Sequence, residues 1–209
     1  MALITPIGTL ATRGKALLTA SKSKEDKAKA DAPLTFYARV LFTPDALKSK
    51  EWAAIVAAIT EAGTEKFGKN FAAMWKEGGI RSPLRRDVAT KGYDSDTFAG
   101  FSQVKAWEDN PPAVLSRFAG ADGKPKKIVD ASEFRPGTLV RLSVAVRAYG
   151  GGTTGFSPGI ALDFRAVQKM GEGSALVGGA GDATDGLDAL PEEADSGDDA
   201  AAMAEMLKM

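Results

Sequence analysis

Neither cysteine nor histidine occurs among the 209 residues, so the chemistry open to this chain rests on carboxylates, cationic groups, hydroxyls and aromatic rings. Disulfides, thiolate nucleophiles, thiolate zinc sites, imidazole ligands and a Ser-His-Asp triad are excluded. Asp94 with Asp96, and Glu108 with Asp109, are spaced to offer hard oxygen donors to Mg²⁺, with Asp130, Glu133 and Asp163 as further candidates. Both pairs fall in stretches containing Gly, Pro or Asn, where acids commonly cap backbone N–H groups. No lysine stands near them at a nuclease-like spacing. A metal-dependent nuclease is therefore the minor alternative, and no catalytic residue, metal or cofactor is expected.

A second pattern mixes rings with cations. From Thr138 to Tyr149, one face of an alternating segment reads Val140, Leu142, Val144, Val146, Ala148, and the other Leu139, Arg141, Ser143, Ala145, Arg147, Tyr149. From Phe98 to Trp107, the same alternation sets Phe101, Gln103, Lys105 and Trp107 opposite Phe98, Gly100, Ser102, Val104 and Ala106. Tyr37 and Arg39 add a third such face, and Arg81, Arg85 and Arg86 form a candidate phosphate clamp in the preceding loop. Rings stack on unpaired bases for about 1–3 kcal/mol each while cations neutralise the phosphates between them, which binds single strands with little sequence preference. The competing reading makes these rings a second small core under the helical insertion and the arginines a solvated face.

The elements that must position these side chains follow from periodicity. Leu34 to Thr43 alternates as a half-buried strand, with Leu34, Phe36, Ala38, Val40 and Phe42 inward and Thr35, Tyr37, Arg39 and Leu41 outward. Thr43-Pro44 then predicts a helix start, Thr43 as N-cap, with Trp52, Ile55, Val56 and Ile59 at helical spacing up to Gly63. A second helical piece, Thr64 to Lys76, aligns Phe67, Phe71, Met74 and Trp75 before Gly78-Gly79. Strands are expected at Phe98–Trp107, Ala113–Phe118, Lys126–Val129, Thr138–Tyr149 and Pro158–Gln168, with strand-like segments between Leu3 and Leu18. Many short strands with one helical excursion predict a mainly β fold, an OB-fold-like antiparallel β-barrel with a helical insertion at about residues 44–77.

The zero net charge hides a division. Residues 171–209 carry ten acids against one base, a charge of −9, and the remaining residues carry +9. All 16 aromatic residues lie between Phe36 and Phe164. The last 39 residues are dominated by Ala, Gly, Asp and Glu, too polar to offset the entropy of ordering. A basic domain over 1–170 and a disordered acidic tail over 171–209 are expected, with a mobile basic loop at 21–32 carrying Lys22, Lys24, Lys27 and Lys29. No leader and no run of roughly 20 apolar residues is apparent, so a soluble, cytosolic protein with no membrane partner is expected.

The order of these features resembles a family of bacteriophage single-stranded DNA-binding proteins with an OB fold. The resemblance is strongest from Ile80 to Met170: Pro83-Leu84-Arg85-Arg86-Asp87, Tyr93 to Trp107, Asp130-Ala131-Ser132-Glu133-Phe134-Arg135-Pro136-Gly137 leading into the strand to Tyr149, and Gly159-Ile160-Ala161-Leu162 to Val167-Gln168-Lys169. The Asp130–Gly137 element looks like a turn that starts the long strand. The resemblance implies sequence-nonspecific ssDNA binding in phage replication, recombination and repair, in the cytoplasm of the infected host. It also implies an acidic tail that competes with DNA and recruits replication or recombination proteins. In this chain that tail carries Glu192, Glu193, Asp195, Asp198 and Asp199. It departs from the best-known tails by ending without an aromatic residue; Met203, Met206 and Leu207 fall instead at the spacing of a short amphipathic helix. A homo-oligomer stays open, and a virion structural or assembly protein is the remaining alternative, one that leaves the charge division unexplained.

Overall fold

Alternation of apolar and polar side chains sets most of the architecture in this computed structural model, which describes residues 2–22, 32–151 and 157–176. In chain order the elements are β1 (Leu3–Ile4), β2 (Gly8–Leu10), α1 (Lys15–Leu18), β3 (Thr35–Phe42), α2 (Lys50–Phe67), α3 (Phe71–Lys76), β4 (Leu84–Arg85), β5 (Gly100–Trp107), β6 (Ala113–Ala119), β7 (Pro125–Lys127), β8 (Leu139–Tyr149) and β9 (Gly159–Gly171). Lys24, Lys27 and Lys29 of the expected basic loop, and the tail positions Glu192 to Leu207, lie outside the described residues.

Five strands close a barrel of the OB type. β3 pairs antiparallel with β5 along its whole length, from Thr35 opposite Trp107 to Phe42 opposite Gly100. β8 and β9 form a long antiparallel pair from Tyr149 opposite Gly159 to Leu139 opposite Gly171. β2 joins β3 to β8, and the ring closes where β5 meets β9 through Lys105 and Asp163. That last seam is parallel, as is the pairing of β6 with β9, so the expected antiparallel order is interrupted along the one edge of β9 that β5 and β6 share. The inward side chains fill the barrel: Leu10, Ala38, Val40, Phe42, Val104, Val140, Leu142, Val144, Leu162, Phe164 and Val167 are buried. Burial contributes about 1.5–3 kcal/mol for each Val, Leu or Phe among them.

The helical insertion differs in detail from the expectation. Thr43 Oγ1 accepts a hydrogen bond from the Ala46 N–H at 3.2 Å, but what it caps is a single 3₁₀ turn, Ala46–Lys48. The N-cap of α2 is Ser49, whose Oγ accepts from the Trp52 N–H at 3.2 Å. Trp52, Ile55, Ile59 and Gly63 form the buried stripe of α2, and Trp52 packs 5.5 Å from the Phe42 ring; Val56 falls off that stripe and is 46% exposed. Gly63 does not end the helix. A Cβ there would lie 2.2 Å from the Phe71 ring, so this glycine admits α3 close against α2, and the break comes at Gly68, with φ +67°. Lys15–Leu18, expected as strand-like, is one helical turn.

A second cluster, Leu41, Val88, Phe98 and Phe101, is buried on the outer side of β3 and β5, with Tyr93 and Leu176 packed against it. Leu41 and Phe101 therefore point away from the barrel, as alternation requires, but are covered by the segment that follows β4. In the turn before β8, the Asp130 carboxylate accepts from the Ser132 N–H at 2.8 Å and Gly137 takes φ +107°.

Candidate nucleic-acid interface

On β5 the inward Ser102, Val104 and Ala106 are buried, which forces Gln103, Lys105 and Trp107 to the outside, where all three are exposed. Trp107 is 52% exposed, against 7% for the core Trp52. Across the parallel seam stands Asp163 of β9, the register partner of Lys105. The same rung system brings the end of β8 alongside, with Arg147 opposite Ala161 and Tyr149 opposite Gly159. Arg81 is tied to the start of β9 by backbone bonds: its N–H donates to Pro158 O at 3.0 Å, and the Ile160 N–H donates to Arg81 O at 2.9 Å.

The structure thus brings Arg81, Arg85, Lys105, Trp107, Arg147 and Tyr149 to the wall of one groove of about 1140 Å³. Tyr37 lies beside it as the β3 partner of Lys105, and Arg39 as the partner of Gln103. Three other expected residues sit elsewhere. Phe101 is 1% exposed and offers no face to a base; it is a buried ring beneath two guanidiniums, Arg39 at 5.3 Å and Arg85 at 6.0 Å from its centroid. Arg86 is exposed but is not part of the groove wall. Arg141 shares the outward face of β8 with Arg147 but lies six residues away, also outside the groove.

Two of the groove arginines are held by carboxylates. Arg147 donates to both oxygens of Asp163, Nε to Oδ2 and Nη2 to Oδ1, each at 2.9 Å. This hydrogen bonding outweighs partial desolvation and raises the guanidinium above its ordinary value. Arg85 pairs with Asp87 through two bonds of 3.2 Å. Desolvation is the largest single influence on Asp87 and pushes it up, but hydrogen bonds from the backbone and Arg85, with the charges of Arg85 and Lys91, bring it below the usual carboxylate range. Ion pairs this exposed are weak, so a phosphate can replace the carboxylate at small cost. The bidentate geometry is the one a phosphate would use.

Sequence reasoning missed several members of the site. Asp163 entered only as a metal candidate, because its pairing with Arg147 depends on strand register. Tyr93 accepts a 3.2 Å bond from Arg39 Nη1, and Gln103 Oε1 accepts one of 3.4 Å from Arg39 Nη2, so both orient that guanidinium. Alternation had already put Gln103 outward; nothing local marks Tyr93. Two of the other metal candidates have local work. Asp94 accepts from the Thr97 hydroxyl and the Asp96 N–H, which together lower its pKa, and Asp130 is lowered by its cap on Ser132. Among the described residues no three acids gather where a cation could sit.

A family profile described as the ssDNA-binding protein of Enterobacter phage Enc34 matches residues 21–200. Among solved structures, the single-stranded DNA-binding protein from bacteriophage Enc34 in complex with ssDNA has a TM-score of 0.59 at 12% identity, over 83% of this chain and 88% of that one. A further structure of the Enc34 protein has a TM-score of 0.55 at 12% identity, covering 90% of each chain. The single-stranded DNA binding protein gp2.5 of bacteriophage T7 has a TM-score of 0.52 at 10% identity, covering 93% of this chain and 97% of that one. At these identities the structural likeness establishes the fold. No curated protein sequence matches the chain.

Proposed function

The chain belongs to the family described as the Enterobacter phage Enc34 ssDNA-binding protein, and from that premise we propose that its barrel binds single-stranded DNA without sequence preference in the groove between β5, the β8–β9 turn and the 81–87 segment. The observation that carries the reading is the placement of an exposed indole, Trp107, and the Tyr149 ring on the same groove wall as Arg81, Lys105 and Arg147. Rings accept any base by stacking, and the cations between them neutralise phosphates, so affinity requires no base-edge readout. Duplex DNA, whose bases are already stacked, gains only the charge contribution.

The groove works by binding, with no catalytic step, and keeps single strands covered during phage DNA replication, recombination and repair in the host cytoplasm. The acidic tail competes with DNA for the basic face and recruits replication or recombination proteins. What supports this is the path of the chain after β9: Leu176 packs against the cluster that holds Tyr93 and Phe101, and the Tyr93 hydroxyl accepts from Arg39.

Titration of oligo-dT against tryptophan fluorescence at graded salt tests the reading. Log affinity should fall with log salt at a slope near −0.7 per neutralised phosphate. The quench should vanish in Trp107→Ala. Equal affinity for duplex and single strands would reject the stacking mechanism.

A further inference from the structure

Beyond the groove, the outward face of the sheet continues to a second place where a ring meets clustered cations. Register pairs set Arg141 of β8 beside Gln168 of β9, Gln168 beside Leu115 of β6, and Leu115 beside Lys127 of β7, a single rung across four strands. Paired residues point to the same side, and Arg141 shares its side of β8 with Arg147, so the rung and the groove both lie on the outer surface of the barrel. At about 3.3 Å per residue it lies roughly 20 Å along β8 from Arg147.

The β6–β7 hairpin projects from that rung. Arg117, Lys124, Lys126 and Lys127 are exposed on it against one acid, Asp122, which is engaged by the Lys124 N–H at 3.1 Å. Phe118 is 64% exposed, with the Arg117 guanidinium 4.7 Å from its ring centroid. Arg117 in turn donates to Met170 O at 3.1 Å, and the Gln168 amide donates to Ser116 O at 3.3 Å, so the hairpin is braced on β9. A large apolar ring held in solvent by a fixed cation, among lysines, is the groove's chemistry repeated.

We propose that this hairpin is a second contact for the same DNA strand, with Phe118 stacking on a base and Arg117, Lys127 and Arg141 neutralising phosphates. It rests on the groove reading for the first contact, and it makes the footprint two-part. A trinucleotide is too short to span the roughly 20 Å between the two parts, whereas an oligonucleotide of about 20 nucleotides reaches both.

Anisotropy titrations with labelled oligo-dT of the two lengths, on the full chain, distinguish the two claims. Phe118→Ala should weaken binding of the long oligonucleotide about tenfold and Lys127→Gln about threefold, each leaving the short one unchanged. Lys127→Gln should also make the salt slope for the long oligonucleotide shallower by roughly 0.7. If both variants bind the long oligonucleotide as the wild type does, or lose the short one equally, the two-part path is wrong. Trp107→Ala should weaken both lengths; if it leaves the short one unaffected while the hairpin variants lose the long one, the groove reading fails and the hairpin contact stands.

Discussion

Asp163 engages Arg147 through both carboxylate oxygens, the geometry a phosphate would use. Replacing it by asparagine removes a competing charge beside Lys105 and frees the guanidinium. Asp163→Asn should therefore tighten oligo-dT binding at low salt by up to about fivefold and steepen its salt dependence. Weaker binding would mean that Asp163 positions Arg147 for the strand. At this scale the residue types were readable from the chain, and alternation alone found Lys105, Trp107, Arg147 and Tyr149. What alternation cannot tell is whether an outward ring meets solvent or a covering loop. Phe101 and Leu41 show the difference, because Val88 and Phe98 arrive over them from a segment with no period of its own.

Strand pairing turns those separate faces into one site. β8 and β9 run together until Tyr149 reaches Gly159, and a Cβ on Gly159 would lie 2.4 Å from the Tyr149 ring. The bare backbone of β9 is thus the seat of that ring. Gly159→Ala should displace Tyr149 and weaken oligo-dT binding about tenfold, with the thermal midpoint nearly preserved since only a side-chain end must move. Unchanged affinity would remove Tyr149 from the contact set. The strands themselves were legible because apolar alternation marks each one locally. The parallel seam at Lys105 and Asp163 was not, since register between distant strands leaves no mark in either segment. Gly63 misled for a similar reason: helix stop and close packing both call for glycine, and only the position of Phe71 distinguishes them.

Over the whole molecule the balance of +9 and −9 is, in the proposed reading, a regulatory arrangement in which the acids that follow Leu176 compete for the cationic face. Glu172, its first acid, is bound by Lys169 at 2.6 Å and Arg135 at 3.3 Å. Truncation after Leu176 keeps these contacts and removes nine of the ten acids. The truncated chain should bind oligo-dT more tightly at low salt, with the difference closing as salt screens the tail. Equal affinity of the two forms would reject competition by the tail. The central claim, that a single strand lies in the groove beside Trp107 and Tyr149, is tested most directly by photo-crosslinking the chain to halogenated oligo-dU and mapping the adducts by mass spectrometry. The account predicts adducts at Trp107 and Tyr149, joined by Phe118 when the oligonucleotide is long. Adducts confined to residues outside both the groove and the β6–β7 hairpin would contradict it.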